Sequence, residues 1–126
     1  MKEAIISGSI FLFFALLCLT SIKNTEKITN FLVETVSTCE SKVESGDWSA
    51  AVAETKKARE FFVEKTYVLE SYLLHDDIER LSDILTDIEV SVITRNKTSA
   101  ISAIRIFKRR LEELSEDDKL SLNNIF

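Results

Sequence analysis

The chain has no proline and only two glycines, Gly8 and Gly46, among its 126 residues. Proline breaks a helix by clashing with the preceding turn and removing a donor; glycine weakens one through backbone entropy. With so little punctuation, long continuous helices are expected. The chain also has one histidine, His75, and two cysteines, Cys18 and Cys39. Zinc and iron sites need three or four ligands, and no HExxH pattern is present. A helix running through both cysteines would hold them about 31 Å apart, against the roughly 6 Å that a disulfide spans. Cys39 therefore reads as a small buried apolar residue. Phosphate-binding glycine loops, nucleophile elbows and CxxC pairs are missing too. The net charge of −5, with both signs interspersed, argues against nucleic acid as a partner.

What the chain does have is an uncharged segment, Ala4 to Ile22, of 19 residues. As a helix it would be about 28 Å long, close to the thickness of a bilayer's hydrocarbon core. Ile5, Phe11, Phe14, Leu17 and Leu19 are among the residues that would face lipid. A cleaved secretory signal is a weaker reading, because no small-x-small site follows. A lipoprotein signal at Cys18 is weaker still, because Leu16 and Leu17 precede it. The expectation is an uncleaved single-pass anchor over residues 1–22, with the bilayer as first partner. Lys23 and Lys27 lean toward a cytoplasmic domain, whereas a signal-anchor would place it outside. A helical domain over residues 23–126 follows.

In that domain apolar residues recur at steps of three and four. Ile28, Phe31, Leu32, Val36, Cys39 and Val43 mark a first stripe, continuous with the anchor. Ser45-Gly46-Asp47 is a turn, with Gly46 at positive φ and Asp47 capping the next helix. A second helix starts at Trp48 and is expected to run over about 25 residues, reaching Tyr72-Leu73-Leu74. Phe61, Phe62, Tyr67 and Tyr72 are spaced like core. Asp76 or Asp77 is expected to cap a third helix striped by Ile78, Leu81, Leu85, Ile88 and Val92. Arg95-Asn96-Lys97-Thr98 is the next turn, and Ala100, Ile101, Ile104, Phe107, Leu111 and Leu114 mark a fourth helix. Lys108-Arg109-Arg110 with Glu112-Glu113 reads as a solvated face. Ser115 with Asp118 resembles a capping box opening a short last turn. Residues 45–51 and 94–100 form a weak internal echo. The expected fold is all-α: a transmembrane helix continuing into a small antiparallel bundle of about four helices.

The residues that could carry chemistry are few. His75, Asp76, Asp77 and Glu79 form an acidic-histidine patch, and the spacing of His75 and Glu79 puts both on one helix face. A helix start with acids facing the dipole explains the same residues. Trp48 suits either an exposed partner anchor or the closure of a bundle end. Asn96-Lys97-Thr98 matches a glycosylation sequon.

The order of an apolar N-terminal segment, Gly46-Asp47-Trp48, His75-Asp76-Asp77-Ile78-Glu79 and the ending Lys119-Leu120-Ser121-Leu122-Asn123-Asn124-Ile125-Phe126 resembles an uncharacterised family. Its members are short, single-anchor proteins of spore-forming Firmicutes, chiefly clostridia, catalogued as a domain of unknown function. Members more often carry His-x-Glu-Ile-Asp; the exchanged acids here keep the charge but no fixed ligand geometry. The resemblance implies anchoring, helical character, partners among multi-pass membrane proteins and, slightly, an extracytoplasmic domain. It transfers no catalytic residue.

Together these readings predict a non-enzymatic, membrane-anchored accessory or interaction module. It would need no cofactor and would act with an integral membrane protein; Trp48, His75, Asp76, Asp77 and Glu79 are its candidate patch. Self-association is open, although Ser7 and Gly8 lack a GxxxG spacing. The alternative is an extracytoplasmic sensor of a small molecule or metal, with a pocket near His75.

Overall fold

A computed structural model describes residues 2–71 and 73–125, with side chains described at 2–17, 26–71 and 73–114. Four α-helices lie among the described residues: α1 (Lys2–Glu44), α2 (Trp48–Leu69), α3 (His75–Ile93) and α4 (Lys97–Ile125). Each packs on its chain neighbours, and α1 also packs on α4, closing an up-down-up-down ring. Between Lys2 and Glu44 nothing interrupts the helix, so the apolar segment and the first wall of the bundle are one rod.

The core lies inside the ring. Leu32, Val36, Cys39 and Val43 of α1 meet Ala51, Ala58 and Phe62 of α2; Leu81, Leu85, Ile88 and Val92 of α3 meet Ala100, Ile104, Phe107 and Leu111 of α4. These two sets coincide under a shift of 49 residues. Leu32 corresponds to Leu81, Val36 to Leu85, Cys39 to Ile88 and Val43 to Val92. Ala51 corresponds to Ala100, buried Thr55 to Ile104, Ala58 to Phe107 and Phe62 to Leu111. The bundle is a pair of equivalent hairpins, α1–α2 and α3–α4.

The turns repeat in the same way. Asp47 N–H donates to Lys42 O at 2.9 Å and Gly46 N–H to Val43 O at 3.1 Å; Asn96 N–H donates to Ser91 O at 2.8 Å and Arg95 N–H to Val92 O at 3.1 Å. Both are Schellman turns, with a left-handed residue satisfying the last carbonyls of the helix. That residue is Gly46 at φ 79° in one hairpin and Arg95 at φ 57° in the other. Asp47 then accepts from Ala50 N–H, and Asn96 from Ser99 N–H, each at 3.2 Å. Lys97 Nζ donates to Glu44 O at 3.5 Å, so both turns share one end of the bundle.

Several expectations are corrected. The second helix stops at Leu69, before residues 72–74. The cap of α3 is Leu74, extended at ψ 146° and without a side-chain capping bond; Asp76 and Asp77 already lie in the first helical turn. There their charges complement the positive end of the helix dipole. The backbone of α4 runs through Ser115 to Ile125 with no break for a separate last turn. Tyr67 is 71% exposed, because the α2 stripe turns Phe62 and Leu69 inward.

Candidate functional site

Helix α2 separates the sequence-derived patch into two places. Its 22 residues extend over about 33 Å. Trp48 begins that helix, beside the Gly46 turn, and packs half-buried against the core. His75 lies past its other end. Trp48 therefore closes one end of the bundle, while His75, Asp76, Asp77 and Glu79 stand at the other.

His75 Nε2 lies 3.1 Å from Glu79 Oε1, on side chains that are both mostly solvent-exposed. The i,i+4 spacing thus makes the contact that the sequence suggested. The neighbouring cavity, about 100 Å³, is lined by Asp77, Arg80, Leu81, Arg110, Glu113 and Leu114, and His75 is not part of it. Among the described residues no group of three or more histidine, cysteine, aspartate or glutamate side chains is placed to hold a metal ion.

The strongest polar contacts lie elsewhere. Arg59 Nε donates to Glu89 Oε1 at 2.6 Å, Nη1 to Ser82 Oγ at 3.0 Å and Nη2 to Thr86 Oγ1 at 2.8 Å, fastening α2 to α3. Lys108 Nζ donates to Glu40 Oε2 at 2.8 Å and Arg105 Nε to Glu40 Oε1 at 3.2 Å, fastening α4 to α1. The bond from Lys108 holds the Glu40 carboxyl below its ordinary pKa, outweighing the partial burial that opposes it. Lys108 is thus a half-buried clamp and not part of a solvated face. Cys39 is buried, and its thiol donates to Ala51 O at 3.6 Å. Burial pushes the thiol pKa up to about 11, helped by the charges of Glu54 and Glu40. Such a thiol is inert, in keeping with the small buried apolar residue that its spacing predicted.

Three surface features remain. The α4 face carries a groove of about 620 Å³ lined by Lys97, Arg105, Arg109 and apolar Ile101 and Ile106. Between α3 and α4 a second groove, about 340 Å³, includes exposed Val90 and Ile106. A third, about 420 Å³, lies between α1 and α2 and is lined by Lys27, Ile28, Phe31, Phe61, Lys65 and Val68. Phe31 and Phe61 each belong to a helix stripe, and neither stripe by itself shows that they meet across two helices.

Over residues 19–125 the chain matches the family described as a domain of unknown function, DUF4363. It belongs to this family. No curated protein and no solved structure matches it. The DUF4363 match covers the whole helical bundle together with the last residues of the apolar segment.

The first third of α1 stands apart from the core. Ile5, Ile6, Ile10, Phe11, Leu12, Phe13, Phe14, Leu16 and Leu17 are all exposed, on every face of the helix. Among the described residues no helix is long and apolar enough to cross a membrane. The side chain of Leu19, placed by the sequence in the same segment, lies outside the described set.

Proposed function

We propose that this DUF4363 protein is a membrane-anchored, non-enzymatic accessory module that holds a four-helix bundle against an integral membrane protein. One observation carries the reading: a single helix whose first third exposes large apolar residues on all faces continues unbroken into the wall of the bundle. Aqueous solvent disfavours such a surface at roughly 25 cal/mol per Å², and a bilayer removes that cost. The uncharged sequence to Ile22 supplies the remaining length. Because anchor and bundle share a helix, the membrane sets the height and tilt of the bundle.

The test is extraction followed by crosslinking. Wild-type chain stays in the membrane pellet at alkaline pH, and Phe11→Arg with Phe14→Arg releases it. Photo-crosslinkers at Val90 or Ile106, the exposed apolar residues between α3 and α4, give a discrete adduct with an integral membrane protein; one at Glu60 does not. Wild-type chain found in the soluble fraction, or the absence of any adduct, overturns the reading.

A further inference from the structure

The groove between α1 and α2 has chemistry that the fold does not require. Phe31 and Phe61 stack with ring centroids 4.0 Å apart at 33°. Lys57 Nζ lies 5.6 Å from the Phe31 centroid and Lys65 Nζ 5.9 Å from that of Phe61, within cation–π range. Lys27 and Lys65 flank an apolar lining of Ile28, Phe31, Phe61 and Val68, and among the described residues no carboxylate lines it.

The second hairpin supplies an internal control. Under the 49-residue shift Phe31 corresponds to Arg80, Phe61 to Arg110 and Ile28 to Asp77. There the cavity shrinks to about 100 Å³ and carries both signs, with Arg110 and Glu113 paired at 3.7 Å. One scaffold therefore closes with mixed charges on one side and stays open with lysines and aromatics on the other. The central core does not account for the difference, because Leu32, Val36, Ala58 and Phe62 correspond to the equally buried Leu81, Leu85, Phe107 and Leu111; at the cavity itself buried Ile28 is exchanged for half-buried Asp77.

Height selects the ligand. Lys27 lies five residues beyond Ile22 on the continuous helix α1, a rise of about 7.5 Å. The headgroup layer on each side of a bilayer is about 5–8 Å thick. A lysine ammonium is a compact point charge suited to phosphate. The apolar lining suits the first methylenes of an acyl chain. An upright acidic protein helix would be better served by the taller α4 stripe of Lys97, Arg105 and Arg109.

We propose that the α1–α2 groove binds the headgroup of an anionic phospholipid, with Lys27 and Lys65 facing its phosphate and Ile28, Phe31 and Val68 holding its glycerol end. This inference rests on the anchoring reading. Headgroup capture in the groove would fix the rotation of the bundle about its anchor.

The test uses the full chain in phosphatidylcholine vesicles doped with photoactivatable phosphatidylglycerol or, as reference, photoactivatable phosphatidylcholine. Crosslinks are mapped by mass spectrometry. Phosphatidylglycerol labels the segments around Phe31 and Phe61 preferentially. Preference falls about fivefold for each of Lys27→Gln and Lys65→Gln. The double variant Lys27→Arg with Lys65→Arg keeps it, and so does Lys57→Gln, which lies two turns farther from the membrane. Equal labelling by both lipids, labelling insensitive to Lys27 and Lys65, or full displacement of phosphatidylglycerol by polyglutamate overturns the inference. All variants stay with the vesicles after alkaline extraction. Loss of wild-type chain there would sink the anchoring reading, whereas retention without lipid preference sinks this inference alone.

Discussion

Arg59 and Lys108 are the same residue position in the two hairpins, 49 residues apart, and each clamps its hairpin to the other through a glutamate. Arg59 reaches Glu89 at 2.6 Å and Lys108 reaches Glu40 at 2.8 Å, and the two glutamates are themselves 49 residues apart. The bundle therefore has two related seams, α2–α3 and α1–α4, each closed by charge-assisted bonds to one glutamate beside a shared apolar core.

The two clamps differ in strength. Arg59 bonds Glu89, Ser82 and Thr86 together, and its side chain is only 25% exposed. Arg59→Ala is expected to lower unfolding free energy by about 1–2 kcal/mol, and Lys108→Ala by less. Urea unfolding of the detergent-solubilised chain, followed by circular dichroism, ranks the two. Equal effects would show that the extra bonds of Arg59 contribute nothing.

Glu40 makes the α1–α4 seam sensitive to acid. Its folded pKa lies below the ordinary value near 4.5, chiefly through the bond from Lys108. The stabilisation is complete above the unfolded pKa and is lost as pH falls through the folded one. Wild type should lose stability on acidification below about pH 4.5 more steeply than Glu40→Gln. Parallel curves for the two proteins in that range contradict the assignment.

Cys39 reports on opening of the core. With its pKa raised to about 11 and its sulfur buried, it should resist alkylation at neutral pH in the folded chain and react once urea unfolds it. Between the ordinary value of 9.0 and about 11 the unfolded thiol ionises first. Stability contributed by this group is therefore lost as pH rises through that window. Cys39→Ala should remove that alkaline component. Rapid labelling of native protein at neutral pH, measured on Cys18→Ser to isolate this thiol, would rule the burial out.

The paired turns make opposite predictions for glycine. Arg95 holds φ 57°, where an L side chain is strained, while Gly46 holds φ 79° freely. Arg95→Gly is expected to be neutral or to stabilise by up to about 1 kcal/mol, and Gly46→Ala to cost about 1 kcal/mol. A Cβ on Gly46 would meet no atom within 4 Å, so the cost is purely one of backbone conformation. Thermal melting of both variants decides; a stabilising Gly46→Ala would exclude the left-handed turn.

Much of the bundle was legible because its signals are local. The stripe Ile78, Leu81, Leu85, Ile88 and Val92 needed only helical periodicity, and all five residues are buried. Gly46 and Asp47 announced a turn and cap by residue type alone. Leu74 was missed as a cap because it makes no capping bond; its place follows from where α2 stops. That Trp48 and His75 lie apart was not legible for a different reason. Proximity between helix ends depends on which end each residue occupies, and α2 puts them at opposite ends. Arg59, Glu89, Glu40 and Lys108 could have been found as opposite charges repeating at the echo's spacing of 49 residues.

The sequence alone determined helicity, the turns at Gly46 and Asn96, most of the inward stripes and the uncharged N-terminal run. Each depends on residues within a turn or two of one another, through backbone propensity and periodicity. Tertiary structure decided which stripes face each other, that the two hairpins share one register, and that Phe31 meets Phe61 beneath two lysines. Those contacts join residues tens of positions apart, and only packing of the helices around a common core selects them.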